Sequence, residues 1–243
     1  MKPFLLLSTR HHDGAATAEH VSVSRHAGLD PQDVVQLRLE AAPVRGIDLD
    51  AFSGIILGGS PFNVSDPDKS VVQLRVESDL RRLLDDILSN DRPFMGLCYG
   101  IGMVTTHLGG VVDRTHGEPA GPVTIAVTEV GQADPLFEGV PSTFDAFVGH
   151  KESGNGLPGG VELLATSESC PVQMYRVGEN VYVTQFHPEL DPDEFADRMR
   201  VYQHNGYFRP EELDDVIALA KTSGVDGSQH RLLRNFARRY SAY

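Results

Sequence analysis

Cysteine is scarce in this chain of 243 residues, which has only Cys98 and Cys170. Two cysteines are too few for a disulfide framework, so we expect both to be thiols in a reducing cytoplasm. Long apolar runs are also missing, and none approaches the roughly 20 residues that span a bilayer. No plausible cleavage site follows the apolar run Phe4–Leu7, and we therefore interpret it as a strand rather than as part of a signal peptide.

Positive charge is in short supply as well. The chain has 21 basic and 34 acidic side chains, and its formal net charge is −13. Recognition of phosphates needs a basic face, so we expect neither a nucleic acid nor a membrane as a partner. The basic residues near the C-terminus are spaced opposite an apolar stripe, which indicates the solvent-exposed side of a last helix, with an anionic partner as the alternative. They are Arg231, Arg234, Arg238 and Arg239.

The first hundred residues alternate short apolar runs with amphipathic stretches, which is typical of βαβ units and a mainly parallel sheet. Apolar residues at helical spacing predict a helix over Ser70–Asn90. The predicted strands are Phe4–Leu7, Val34–Leu39, Ile55–Leu57 and Phe94–Leu97. These patterns predict a doubly wound α/β fold whose mainly parallel sheet is flanked by helices.

The second half of the chain changes character. Short β-branched segments separated by Gly, Pro and Asn predict further strands, partly antiparallel. These segments are Val123–Thr128, Phe144–Val148, Val161–Ala165, Val172–Arg176 and Val181–Phe186. Helical patterns then return over Asp193–His204, Pro210–Lys221 and Arg231–Tyr240. We predict one α/β domain over residues 1–190 and a helical C-terminal extension over residues 191–243 that packs on the same domain.

The strongest chemical signal is the pentapeptide Gly96-Leu97-Cys98-Tyr99-Gly100, which follows an apolar strand and precedes a helical stretch. Glycines on both sides of a central nucleophile allow the tight strand-turn-helix connection called a nucleophile elbow. The N-terminus of the following helix favours the thiolate that attacks. The alternative is a buried structural cysteine, because free cysteine is among the most buried residue types.

A nucleophile needs a base, and the base needs a group that orients it. The tripeptide His187-Pro188-Glu189 places an imidazole and a carboxylate just past the last predicted strand, where open α/β sheets place their sites. With one residue between them, both side chains can lie on the same side of an extended segment. The alternative is a structural histidine, one of ten in the chain.

Together the two motifs resemble those of the class I (triad-type) glutamine amidotransferases, and most closely their stand-alone, GMP-synthase-like members. The resemblance runs from the first strand to about residue 190. It includes the glycine-rich loop Ile55–Pro61, and the segment Gly149-His150-Lys151-Glu152 after a middle strand. It implies a flavodoxin-like fold and, as substrate, glutamine or a related amide, with no cofactor and no metal.

The resemblance also assigns roles to residues. It implies that Cys98 is the nucleophile, that His187 is the general base and acid, and that Glu189 orients His187. Backbone N–H groups at Tyr99 and around Gly59 would form the oxyanion hole. The other implied oxyanion or substrate contacts are Gly58, Ser60, Gly102 and His150.

Two positions depart from the family pattern. The family has Gln four residues after the nucleophile, where this chain has Gly102, and Gly-Gly-Pro in the loop, where this chain has Gly59-Ser60-Pro61. A missing substrate contact predicts that free glutamine is a poor substrate and that Gly102→Gln raises glutaminase activity if the new side chain finds room. Alternatively, Gly102 only permits close packing of the helix, and Gln there lowers stability.

The chain has no G-x-x-x-x-G-K-[ST] loop and no room for an ATP-using synthetase domain, so we expect any ammonia acceptor on a separate synthetase or acceptor subunit. Two other functions remain open. One is a cysteine hydrolase of another γ-glutamyl or amide compound, and the other is a binding or regulatory module without turnover. Of the minor candidates, His11-His12-Asp13 is expected to be a solvated loop, with a metal cluster as the alternative, and Cys170 is expected to be inert.

Overall fold

The computed structural model describes residues 2–241; Met1, Ala242 and Tyr243, the last two in the predicted extension, lie outside the described residues. The strands are β1 (Phe4–Ser8), β2 (Val34–Arg38), β3 (Gly54–Leu57), β4 (Phe94–Leu97), β5 (Val112–Asp113), β6 (Glu118–Val127), β7 (Thr143–His150), β8 (Ser153–Gly154), β9 (Val161–Thr166), β10 (Met174–Val177) and β11 (Val181–Thr184). The α-helices are α1 (Asp13–Ala27), α2 (Val71–Ser89), α3 (Tyr99–His107), α4 (Glu129–Ala133), α5 (Pro192–Val201), α6 (Leu213–Lys221) and α7 (His230–Tyr240). Short 3-10 helices cover Pro31–Asp33, Leu49–Ala51, Pro135–Phe137 and Pro210–Glu212.

Nine strands form one mixed sheet in the order β2-β1-β3-β4-β11-β10-β9-β6-β7. The strands from β2 to β11 run parallel, and the pairings from β11 to β7 are antiparallel. β4 and β11 are neighbours, with Leu97 opposite Thr184. The two sequence motifs, which follow these strands, therefore leave the sheet side by side.

Helices cover both faces of the parallel half. One core joins Val23 of α1 and Phe236 of α7 to Phe4 of β1. The opposite core joins Leu80 of α2 to Leu5 of β1. Successive residues of β1 enter opposite cores because side chains alternate across a strand. The predicted α/β fold with helices on both faces is confirmed.

The helices that follow Glu189 pack on the same body. Asp191 and Glu194 form a reciprocal capping box that starts α5. α5 and α6 then contribute to a third core, where Phe195 stacks on Phe147 of β7 at a centroid distance of 4.3 Å. α5 and α6 thus cover the antiparallel half of the sheet, while the boundary of the extension at residue 190 stays a prediction.

The clearest difference from the sequence analysis is α1, which no apolar pattern predicts. Its buried face includes Glu19, Ser22, Ser24 and His26, so polar residues hide the helical period. Two predicted strands, Val172–Arg176 and Val181–Phe186, are each shortened by two residues at one end. Within residues 2–241, none of the helices has the length and apolar composition that a membrane crossing needs.

Candidate active site

Cys98 connects β4 to α3 in an uncommon backbone conformation. Its φ of 52° and ψ of −83° lie in a sparsely populated region for a residue other than glycine. Flanking glycines make the turn possible, because a Cβ on Gly96 would lie only 3.0 Å from Cα of Gly100. The side chain stands at the N-terminus of α3, where helices favour anions. The structure therefore has the strand-turn-helix elbow that the sequence predicts.

His187 and Glu189 follow β11, the strand beside β4. Nδ1 of His187 lies 2.8 Å from Oε1 of Glu189. Because the carboxylate only accepts, Nδ1 donates, which leaves Nε2 available to a thiol. His187 and Cys98 line the same cavity. The structure thus brings together the three residues predicted to form a triad.

Burial opposes charge on both members of the His187–Glu189 pair, but their partners outweigh it. Burial would lower the pKa of His187, yet the charge of the Glu189 carboxylate and interaction with the Cys98 sulfur raise it to about 9. Burial would likewise raise the pKa of Glu189, yet His187 and Arg198 hold that pKa well below its usual range. At neutral pH the pair is an imidazolium and a carboxylate, and an imidazolium next to a cysteine stabilises the thiolate.

The glycine-rich loop after β3 lies between His187 and a buried ion pair. A Cβ on Gly59 would lie 3.1 Å from Cε1 of His187 and 2.8 Å from Nη2 of Arg10. A Cβ on Gly58 would lie 2.6 Å from the Glu19 carboxylate, to which Nε of Arg10 donates at 3.0 Å. Only glycine allows the backbone of this loop to approach the triad so closely.

Two narrow cavities meet at Cys98. One, of about 30 Å³, lies on the side of His187, and the other, of about 20 Å³, lies on the side of Gly102. The residues that line both cavities are Ser60, Cys98, Gly149 and Tyr207. The first cavity has room for two or three water molecules and the second for one or two, since a water needs roughly 10–15 Å³. A substrate as large as an amino acid needs more room than either cavity offers as it stands.

Other side chains fill the space beside Gly102. A Cβ there would lie 3.2 Å from Cγ2 of Val64 and 3.7 Å from Oε1 of Glu152. The Glu152 carboxylate accepts hydrogen bonds from the backbone N–H groups of Val64 and Ser65. A side chain at position 102 therefore requires Val64 to give way.

His150 lines the second cavity, but protein groups engage both of its ring nitrogens. Nδ1 lies 2.9 Å from the carbonyl oxygen of Glu152, and Nε2 lies 2.7 Å from Oε2 of Glu118. His150 consequently anchors the segment that carries Glu152, and neither nitrogen is left for a substrate.

Two clusters within residues 2–241 gather three potential metal ligands each. They are Glu118 with His150 and Cys170, and His26 with Asp191 and Glu194. In each cluster a histidine already pairs with a carboxylate, at 2.7 Å in both. Burial raises the pKa of Cys170 to about 11, so that side chain stays a thiol at neutral pH. The tripeptide His11-His12-Asp13 is exposed before and at the start of α1 and belongs to neither cluster.

Many residues that line the site are not predicted by the sequence patterns. Among them are Arg10, Gln185, Arg198, Tyr202 and Tyr207. Nε2 of Gln185 lies 3.9 Å from Sγ of Cys98, and its position two residues before His187 is a signal that could have found it. Arg10 follows β1, the other three lie on α5 or after it, and no motif marks any of the four.

A cysteine, a histidine and a glutamate thus meet where two parallel strands of an α/β sheet end. Residues 22–201 match the family described as glutamine amidotransferase class-I, and the chain belongs to this family.

Relatives show how far the similarity extends. A glutamine-hydrolyzing GMP synthase of Thermosipho africanus is 31% identical over 148 residues, which are 60% of this chain and 26% of that protein. One subunit of a glutamine-hydrolyzing GMP synthase of Methanococcus maripaludis is 36% identical over 111 residues, 45% of this chain and 57% of that subunit. The matched part thus spans about a quarter of the first relative.

Among solved structures, a glutamine amidotransferase from Thermotoga maritima has a TM-score of 0.79 to this chain at 19% identity, with all of both chains covered. The structure of PurLQS from the same organism has a TM-score of 0.63 at 13% identity. At these identities the similarity concerns the fold.

Proposed function

We propose that this chain hydrolyses the side-chain amide of glutamine and releases ammonia through a thioester on Cys98. The observation that carries the proposal is the 2.8 Å contact between His187 and Glu189 beside the elbow that presents Cys98. Membership of the class-I family supports glutamine as the substrate.

In the first half of the reaction, the Cys98 thiolate attacks the amide carbon and forms a C–S bond. The carbonyl oxygen becomes an oxyanion, which the backbone N–H groups of Tyr99 and Gly59 stabilise. His187, held as an imidazolium by Glu189, gives its Nε2 proton to the amide nitrogen. The C–N bond then breaks, ammonia leaves and the thioester remains.

In the second half, neutral His187 takes a proton from water, and the resulting hydroxide attacks the thioester. The C–S bond breaks, glutamate leaves, and the thiolate and the imidazolium are restored. Because His187 lines the first cavity, the leaving nitrogen faces that cavity, and the rest of the substrate lies toward Gly102 in the second.

The test is ammonia release from glutamine by the purified chain, with Cys98→Ser as the control. We expect release by the wild type only, because a serine hydroxyl forms no stable anion at neutral pH. An electrophilic glutamine analogue should modify Cys98 and spare Cys170, which peptide mass spectrometry reports. No ammonia release and no labelling of Cys98 would overturn the proposal.

The crowded space beside Gly102 favours a second candidate, hydrolysis of another γ-glutamyl compound through the same thioester. Val64 and Glu152 occupy the space that a glutamine side chain at position 102 would need. A panel of γ-glutamyl amides assayed beside glutamine separates the two candidates by kcat/KM. A binding module would turn over no member of the panel.

We also propose that a separate synthetase chain uses the ammonia. The support is the match to one subunit of a glutamine-hydrolyzing GMP synthase and the small share of the full-length synthases that the chain spans. A synthetase that uses added ammonium when alone, and glutamine once this chain is added, would establish the pairing. If the pair used glutamine no better than the synthetase alone, this partner would be excluded.

We place the reaction in a reducing compartment, the cytoplasm, because it needs Cys98 as a thiol. Both cysteines are free thiols in the structure.

A further inference from the structure

Arg198 lies on α5, outside every motif of the triad, yet its guanidinium reaches the triad carboxylate. Nη1 of Arg198 lies 2.7 Å from Oε1 of Glu189. The Glu189 side chain is fully buried, and 12% of the Arg198 side chain is exposed. A charged pair this deep is an expensive arrangement unless it is hydrogen bonded and has a use.

Arg198 and His187 share one oxygen of that carboxylate. Oε1 accepts from both side chains, whereas Oε2 of Glu189 has no hydrogen-bond partner among the described residues. Nη1 of Arg198 also lies 3.2 Å from Nδ1 of His187, but both atoms are donors, so this is a contact and not a hydrogen bond. Without Arg198, a buried carboxylate would keep a single side-chain donor and would favour its neutral form.

We propose that Arg198 is a positioning residue that keeps Glu189 ionised, and so keeps His187 oriented and charged toward Cys98. The role of Arg198 in catalysis rests on the proposed function. Its effect on the charges of Glu189 and His187 rests on the geometry of the three side chains. It also makes α5 of the C-terminal extension a part of the active site.

Other groups face the His187–Glu189 pair from every element packed around it. The charged or titratable ones are Arg10 after β1, Cys98 before α3, His230 of α7, and Tyr202 and Tyr207 after α5. Arg10 is paired with Glu19, and His230 contacts the carbonyl of Pro188 instead of the carboxylate. Arg198 is thus the cation that touches Glu189 among the described residues.

The test is the pH profile of Cys98 alkylation by iodoacetamide, followed by peptide mass spectrometry. It needs no substrate, so it reports on Arg198 even if the chain proves not to hydrolyse glutamine. We expect Arg198→Met to move the acid limb of this profile to higher pH by about one unit, because the Glu189 carboxylate loses the opposite charge beside it. Arg198→Lys should keep the limb near the wild-type position. Arg200→Met is the matched control, because Arg200 of the same helix is half exposed and, within residues 2–241, pairs with Asp197 alone.

A double variant separates action through Glu189 from a direct effect of the Arg198 charge on the thiol. If Arg198 acts through the carboxylate, Arg198→Met should shift the limb little once Glu189→Gln is present. An equal shift in both backgrounds would overturn the proposal. So would a rate lowered uniformly at all pH values, which is what a merely structural role predicts; thermal unfolding of each variant identifies those that do not fold.

Discussion

The N–H of Cys98 donates to the carbonyl of Thr184 across 2.7 Å, one step beyond the last paired residues of β4 and β11. The parallel ladder therefore extends to Cys98, while the N–H of His187 donates to the carbonyl of Phe147 in β7 at 2.8 Å. Backbone hydrogen bonds to neighbouring strands thus hold both residues, and such ladders are among the most rigid parts of a fold.

Cys98→Gly should be more stable than Cys98→Ala, by about 1 kcal/mol. Both variants lose the thiol, but only glycine adopts a φ of 52° without strain, and this outweighs its larger entropy in the unfolded chain. Urea denaturation measures the difference. Equal stabilities would show that the backbone at position 98 is not strained by a Cβ. Both variants should lack ammonia release.

Removing His187 should cost more activity than removing Glu189. His187→Ala leaves no group to protonate the departing ammonia, and essentially all turnover should be lost. Glu189→Ala leaves an imidazole that still reaches the thiol, so a substantial but smaller part should be lost. Steady-state kinetics on glutamine measure both. Small and equal losses would indicate that the His-Pro-Glu segment is structural.

Stability should fall at alkaline pH through His187. Its pKa in the folded chain is about 9, above the ordinary value of 6.5, so its contribution is complete below pH 6.5 and is lost as the pH rises through about 9. Urea midpoints below and above this window measure the loss. His187→Gln should show a smaller fall across the same window, and an identical fall would assign the effect to other groups.

Gly102→Gln alone should lower stability without a gain in activity. The new Cβ meets Val64 at 3.2 Å, and overpacking of this kind typically costs about 1–3 kcal/mol. Adding Val64→Ala should make room, and a restored hydrogen bond to a charged substrate group should then raise kcat/KM about tenfold or more. Val64→Ala alone is the control. A gain from Gly102→Gln alone would show that Val64 moves freely.

Tyr207→Ala should make Cys98 more accessible to bulky thiol reagents. Tyr207 stands at the junction of both cavities, and Lys151 holds its segment by donating to the carbonyl of Asn205 at 2.6 Å. Labelling with a large maleimide should speed up severalfold in this variant, whereas Tyr207→Phe should stay near the wild type. Similar labelling rates in all three proteins would mean that the segment around Tyr207 does not restrict access to Cys98.

Much of the parallel half of the fold was predictable from the sequence. Strands such as Phe94–Leu97 are short, apolar and bounded by turn residues, and the predicted helix Ser70–Asn90 differs from α2 by one residue at each end. Ser70 caps that helix by accepting from the N–H of Gln73. Local signals suffice where apolar residues at helical spacing form most of the buried face, as Val76, Leu80 and Leu84 do in α2.

The chemistry around the triad was less predictable. Cys98, His187 and Glu189 lie in motifs, so their local spacing in the sequence predicts their roles. Arg10 and Arg198 become part of the site only through the pairing of distant elements. Their partners, Glu19 and Glu189, lie on other elements or beyond other turns, and a single sequence does not display such contacts.

The sheet order has a consequence for synthesis on the ribosome. β11 lies between β4 and β10, and it ends at Thr184 of 243 residues, so the nascent chain exposes an unpaired edge of β4 until most of the polypeptide has emerged. The thiol is therefore made early and acquires its imidazole late, and α5 supplies its arginine later still. A stalled or truncated chain would carry a cysteine but not the groups that make it reactive.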